Sequence, residues 1–205
     1  TLFAGSAGTS VDLFTKLNYD THLSRNLWQH MIVSVSPDSY AVYFNGKEVG
    51  YEEVPESPNT GTTGIDSLST VLAALFQNDM IQSYSNVAIG RSQYTSDNDF
   101  KGQIDNVRFY TTALTEDQAA ELYALENPSE DETSEVPDPV YIWDFEEEDQ
   151  AEALHGAQLS GDAAITDNSR KGNNVLKLSG DGYMSLPEGI LGEVSSENNE
   201  FTLSM

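Results

Sequence analysis

The sequence predicts an all-β fold, an antiparallel sandwich carrying one or two short helices. Three observations lead there. Short runs rich in Val, Ile, Tyr and Phe alternate apolar with polar residues at period two. Gly, Asn, Asp and Pro bound these runs, and the dipeptide Asn45-Gly46 between two of them is a tight-turn signal. Helical periodicity is confined to two stretches. A content of 38% hydrophobic and 10% aromatic residues over 205 positions suffices for a packed core.

Taken in order, Val11–Thr15, Met31–Val35 and Tyr40–Phe44 read as strands, and the Asn45-Gly46 turn sends Lys47-Glu48-Val49 back as the next. The long connection from Tyr51 to Ser85 is rich in Gly, Thr, Ser and Pro and reads as a surface insertion. Within it, Leu68, Val71, Leu72, Leu75 and Phe76 are spaced as the apolar face of a helix. Val87–Gly90 and Gln103–Tyr110 add two strands. Thr115-Glu116-Asp117-Gln118 has the capping-box pattern, predicting a helix that Pro128 ends. From Asn127 to Asp149 there are ten carboxylates and no Lys or Arg, and the Pro- and Ser-bearing part, 127–139, reads as a solvated linker. Beyond it, Val140–Phe145, a hairpin of Val175–Leu178 with Tyr183–Leu186, and Phe201–Met205 read as strands.

Charge and composition exclude several functions. Against 34 Asp and Glu there are 9 Lys and Arg, a formal charge of −25. A nucleic-acid backbone or an anionic membrane surface would repel such a chain. No apolar run reaches the roughly 18 residues of a membrane span, so insertion is not expected. The absence of cysteine removes disulfides, thiol catalysis and thiolate metal sites. With Thr1 first and no signal-peptide zones, the chain reads as a segment of something longer.

The residues also carry a resemblance. Trp28-Gln29-His30-Met31-Ile32-Val33 followed by Tyr43-Phe44-Asn45-Gly46 resembles a stretch of laminin-G-like jelly rolls, whose superfamily includes concanavalin-A-like lectins and glucanases. Val87-Ala88-Ile89-Gly90-Arg91 and Phe100-Lys101-Gly102-Gln103-Ile104-Asp105-Asn106-Val107-Arg108-Phe109-Tyr110 are similar to the family's ending, and Ala113–Tyr123 to its closing helix. Trp143-Asp144-Phe145-Glu146 and Val175–Pro187 are similar to its opening. The resemblance thus implies the closing portion of a jelly roll in 1–126, the linker 127–139, and the opening portion of a jelly roll in 140–205. Of two accounts, a tandem array cut across two domains and one permuted domain, the tandem array is the simpler and is favoured. In both, the halves are expected to complement each other, within one chain or between chains.

Catalysis is not expected. Family glucanases carry Glu-x-Asp-x-x-Glu on one strand, and Gln103–Arg108 has neither Glu. His22, His30 and His155 lack metal spacing, and there is no Gly-x-Ser-x-Gly elbow. Calcium is the ion that suits an acidic, cysteine-free protein, through hard oxygen ligands. The resemblance implies Asp144 or Glu146 with Asp105 as its ligands, and Asp97-Asn98-Asp99 beside Gly102 is a second candidate. The alternatives are that Asp105 caps a turn or pairs with Arg108, and that 97–99 is only a polar loop. Sugar binding in such folds uses exposed rings and polar side chains. Tyr84 and Tyr94, with Arg91 and Gln93, are the candidates, alongside Tyr19 and Tyr51. Trp28, Trp143, Tyr43, Phe109 and Tyr110 are assigned to the core. The expectation is a non-catalytic carbohydrate-binding or adhesion module, extracellular or at the cell surface, with a glycan or a surface protein as partner. Its rivals are a structural spacer or protein-interaction repeat, and an accessory domain of a polysaccharide-degrading enzyme.

Overall fold

The computed structural model describes residues 3–6, 9–12, 27–36, 40–48, 87–92, 96–126, 136–147, 149–168, 172–195 and 200–205. Among them are fourteen strands. The first eight are β1 (Phe3–Ser6), β2 (Thr9–Asp12), β3 (Met31–Val35), β4 (Tyr40–Phe44), β5 (Lys47–Glu48), β6 (Ala88–Ile89), β7 (Lys101–Ile104) and β8 (Val107–Tyr110). The remaining six are β9 (Tyr141–Trp143), β10 (Gln158–Ser160), β11 (Ala164–Asn168), β12 (Asn173–Ser179), β13 (Tyr183–Ser185) and β14 (Phe201–Ser204). Three helices accompany them, α1 (Glu116–Glu126), α2 (Gln150–Leu154) and α3 (Ile190–Ser195). The expected helix at 68–76 lies outside the described residues; α2 and α3 were not expected.

Among the described residues every pairing is antiparallel. The largest sheet has the order β5-β4-β3-β14-β8-β9. Two three-stranded sheets, β10-β13-β6 and β11-β12-β7, and the β1-β2 ribbon complete the set. Strands from both sides of the acidic linker therefore share sheets. In the largest, β14 lies between β3 and β8, pairing Leu203 with Val33 on one side and Phe109 on the other. β12 pairs with β7, and β13 with β6.

Period-two alternation sends the two faces of the large sheet into different environments. Val33, Val35, Val42, Phe44, Phe109 and Phe201 face the main core, where Leu176, Leu178, Ile89 and Met184 of the smaller sheets meet them. Trp143 sits there fully buried, edge-on to Phe109, with its indole N–H donating to the Leu154 carbonyl at 2.7 Å. Ile32, Tyr43 and Tyr110 face the other way, under Leu114, Ala119 and Leu122 of α1 and its approach. Each such side chain contributes about 1.5–3 kcal/mol by leaving water.

The α1 cap forms as the sequence predicts. The Gln118 N–H donates to Thr115 Oγ1 at 3.3 Å, and Gln118 Oε1 accepts from the Thr115 N–H at 3.0 Å. The β4–β5 turn has Asn45 at φ +50° and Gly46 at φ +72°, as a primed hairpin turn requires. A Cβ on Gly46 would lie 3.1 Å from Ala120 Cα, so glycine also lets the helix pack on the turn.

Two readings of the sequence are corrected. Gln103–Tyr110 is two strands in different sheets, broken at Asp105-Asn106, where Asn106 adopts φ +52°. Val175–Leu178 and Tyr183–Leu186 do not form a hairpin, because β12 pairs with β7 and β13 with β6, in different sheets.

Candidate functional site

Three places gather the residues to which the sequence pointed, or residues close to them. The first is the crossover at Asp105. Its buried carboxylate accepts the Asn106 N–H on Oδ1 and the Asn173 side-chain amide on Oδ2, both at 2.9 Å. The next residue, Asn174, donates its N–H to Glu146 Oε1 at 2.9 Å, and Asp144 Oδ1 accepts the Glu146 N–H at 3.2 Å. The start of β12 thus links Asp105 to Glu146, and Asp144 sets the turn behind it. Phe145 between them is fully buried at φ +63°, a conformation a bulky side chain adopts only when packing enforces it. Asp105 holds the N–H of the residue that follows it and the Asn173 amide, and Arg108 pairs with Glu126. Among the described residues, no three His, Asp or Glu side chains converge as a metal-binding group.

The second is the loop after β6. The Gly90 carbonyl accepts the Phe100 N–H at 2.8 Å, and Ser92 Oγ donates to Asp97 Oδ2 at 2.6 Å, which cinches the loop twice. Arg91 lies over the Tyr183 ring, 4.7 Å from its centre. Asp97 is exposed and Asp99 half-buried. Gln93 and Tyr94 belong to this loop by sequence but lie outside the described residues, as do Tyr84, Tyr19 and Tyr51. Phe100 closes the loop with its ring 48% exposed. A Cβ on Gly102 would stand 2.7 Å from Phe100 Cζ, so glycine there lets the ring lie flat on the strand. The Phe-x-Gly spacing carried that signal, since residues two apart on a strand share a face.

The third was not expected. A groove of about 540 Å³ runs between β8, the end of α1, the start of β12 and residues 136–139. Asn106, Arg108 and Glu126 line it as a connected set, with Arg108 Nη1 on Glu126 Oε1 and the Asn106 amide on Oε2 at 2.9 Å. Tyr110 lines its base, only 1% exposed, and burial first of all raises its phenol above the usual value of 10.0. Of the aromatic residues assigned to the core, Trp143, Tyr43, Phe109 and Tyr110 are buried, whereas Trp28 is 40% exposed.

No helix among the described residues is long and apolar enough to cross a membrane. Comparison with protein-family models, with curated proteins and with solved structures finds no match to this chain.

Proposed function

We propose that this chain is a non-catalytic carbohydrate-binding module of a secreted or surface-anchored multidomain protein, built as one permuted jelly roll of the laminin-G or concanavalin-A kind. The observation that carries the reading is the cinched 90–100 loop, which offers an exposed ring, an arginine and two carboxylates from one short segment. An exposed ring stacks on a pyranose face while charged and amide groups take its hydroxyls. The insertion of β14 between β3 and β8 supports the permuted reading, since it supplies a strand that the order of residues 1–126 lacks. Supporting the non-catalytic reading, Glu126 in the groove has one oxygen held by Arg108 and the other by Asn106. A calcium ion would be held by Asp144 and Glu146, each of which uses one oxygen in the fold; Asp105 has both oxygens engaged.

The test is a glycan-array screen in calcium and again in chelator, with calorimetry on each hit. Binding that falls at least tenfold in Phe100→Ala and Arg91→Ala supports the reading. Hits unchanged by both substitutions, or no hits at all, refute it and favour the spacer or protein-binding alternative.

A further inference from the structure

The groove has a chemistry unlike that of the 90–100 loop and shares no residue with it. We infer that it is a second binding site, which takes a basic side chain, Lys or Arg, from an extended segment of a partner polypeptide. One flank is aliphatic: Leu122 and Leu125 from the end of α1, then Val136, Pro137 and Pro139. Leu125 is 46% exposed, an apolar surface matched to the methylene stem of a long cationic side chain.

The polar flank has spent its donors and kept its acceptors. Arg108 is neutralised by Glu126, and the Asn106 amide NH₂ goes to the same carboxylate. The Asn173 NH₂ goes to Asp105, which fixes the orientation of that amide and leaves its buried Oδ1 with no hydrogen-bond partner. Pro137 and Pro139 have no N–H to give. Asp138 between them is exposed and makes no hydrogen bond or ion pair among the described residues. A ligand for such a wall brings donors and positive charge, which ammonium and guanidinium groups do without offering any acceptor. The formal charge of −25 draws cationic partners toward the protein. A sugar fits less well, because the one ring lining the groove, Tyr110, is buried and cannot stack on it.

Three pools of fluorescein-labelled octapeptides test this on the full 205-residue chain in about 0.15 M salt, where charges much beyond ~8 Å are screened. One pool alternates Arg or Lys with Val or Leu, the second alternates the same bases with Gly or Ser, and the third places Glu in place of the bases. The first two pools are expected to bind with similar affinity, because in an extended segment the alternate residues turn away from the face that carries the bases, and the third not to bind. Asp138→Lys and Leu125→Ser, both at exposed positions, should each weaken the first pool at least tenfold. Glu48→Lys makes the same charge change on exposed β5, four strand spacings or about 19 Å from β8, and should change binding less than twofold. Phe100→Ala should leave peptide binding intact, which separates this site from the glycan-binding proposal. Equal weakening by Glu48→Lys and Asp138→Lys would reduce the effect to diffuse attraction and overturn the inference. So would absence of peptide binding, or displacement of the peptides by neutral oligosaccharides.

Discussion

Replacing Thr202 by Val probes how β14 is held between its neighbours. The Thr202 side chain is fully buried on the face of the large sheet that turns toward α1. Its Oγ1 accepts the Leu114 N–H at 3.0 Å and donates to the Thr112 carbonyl at 2.8 Å, with Ser34 Oγ 3.2 Å away. Ser34 in turn donates to the Leu114 carbonyl at 3.0 Å. Valine keeps the shape but leaves a buried N–H without its acceptor, costing about 1–3 kcal/mol, and loses the bond to Thr112, about 1 kcal/mol. The added methyl returns about 0.8 kcal/mol. The net expectation is a loss of about 2 kcal/mol, or roughly 4–8 °C in melting temperature for a domain of this size. Urea unfolding followed through tryptophan fluorescence measures it. In a double-mutant cycle with Ser34→Ala, the two losses should fall short of additivity by about 0.5–1 kcal/mol, because they share Leu114. A loss under about 0.5 kcal/mol with an unchanged urea slope, or strict additivity in the cycle, would refute the idea that this network anchors the strand.

Three further outcomes follow from the same geometry. Thr115→Ala should cost about 1 kcal/mol in denaturant unfolding by removing the cap of α1, and Thr115→Ser should restore most of it. Glu126→Ala should cost about 1–2 kcal/mol by the same measurement, because it strands the Arg108 and Asn106 donors, whereas Arg108→Met should cost less. Tyr43 and Tyr110 are held above their usual value of 10.0, foremost by burial, and Tyr141 foremost by its hydrogen bond with Glu193. Because these folded values exceed the unfolded one, their contribution is fully present below pH 10 and is lost as pH rises through the folded values. Unfolding curves set beside phenolate absorbance should show stability falling from about pH 10 upward, with folded phenols ionising later than in denaturant.

Much of the large sheet was legible in the sequence because its determinants are local. The β3–β4–β5 meander follows from alternation and one Asn-Gly turn, and α1 from four consecutive residues of a capping box. The break inside Gln103–Tyr110 left a trace as well: apolar residues change parity from Ile104 to Val107 and Phe109, which one continuous strand would not allow. The false hairpin at 175–186 is different. Ser-Gly-Asp-Gly serves a passage from one sheet to another as readily as a return within one, and the choice depends on β7 and β6, some 75–95 residues away in sequence. The candidate sites divide in the same way. The 90–100 loop is a single segment and could be nominated from sequence, down to Arg91 and Asp97. The groove joins Arg108, Glu126, Asp138 and Asn173 from four separate elements, and no spacing encodes that meeting.

The position of β14 also sets the order of events while the chain is being made. Until residues 201–204 leave the ribosome, β3 and β8 have no partner between them, and each presents an open ladder of N–H and C=O groups beside a row of Val and Phe. Residues 36–200 are thus synthesised after β3 and before this sheet can close, and the contacts that close it span about 90 to 170 residues. Nascent chains of this protein are for that interval templates for one another. Solubility then depends on how fast β14 finds its slot, and the −25 charge keeps neighbouring chains apart while it does.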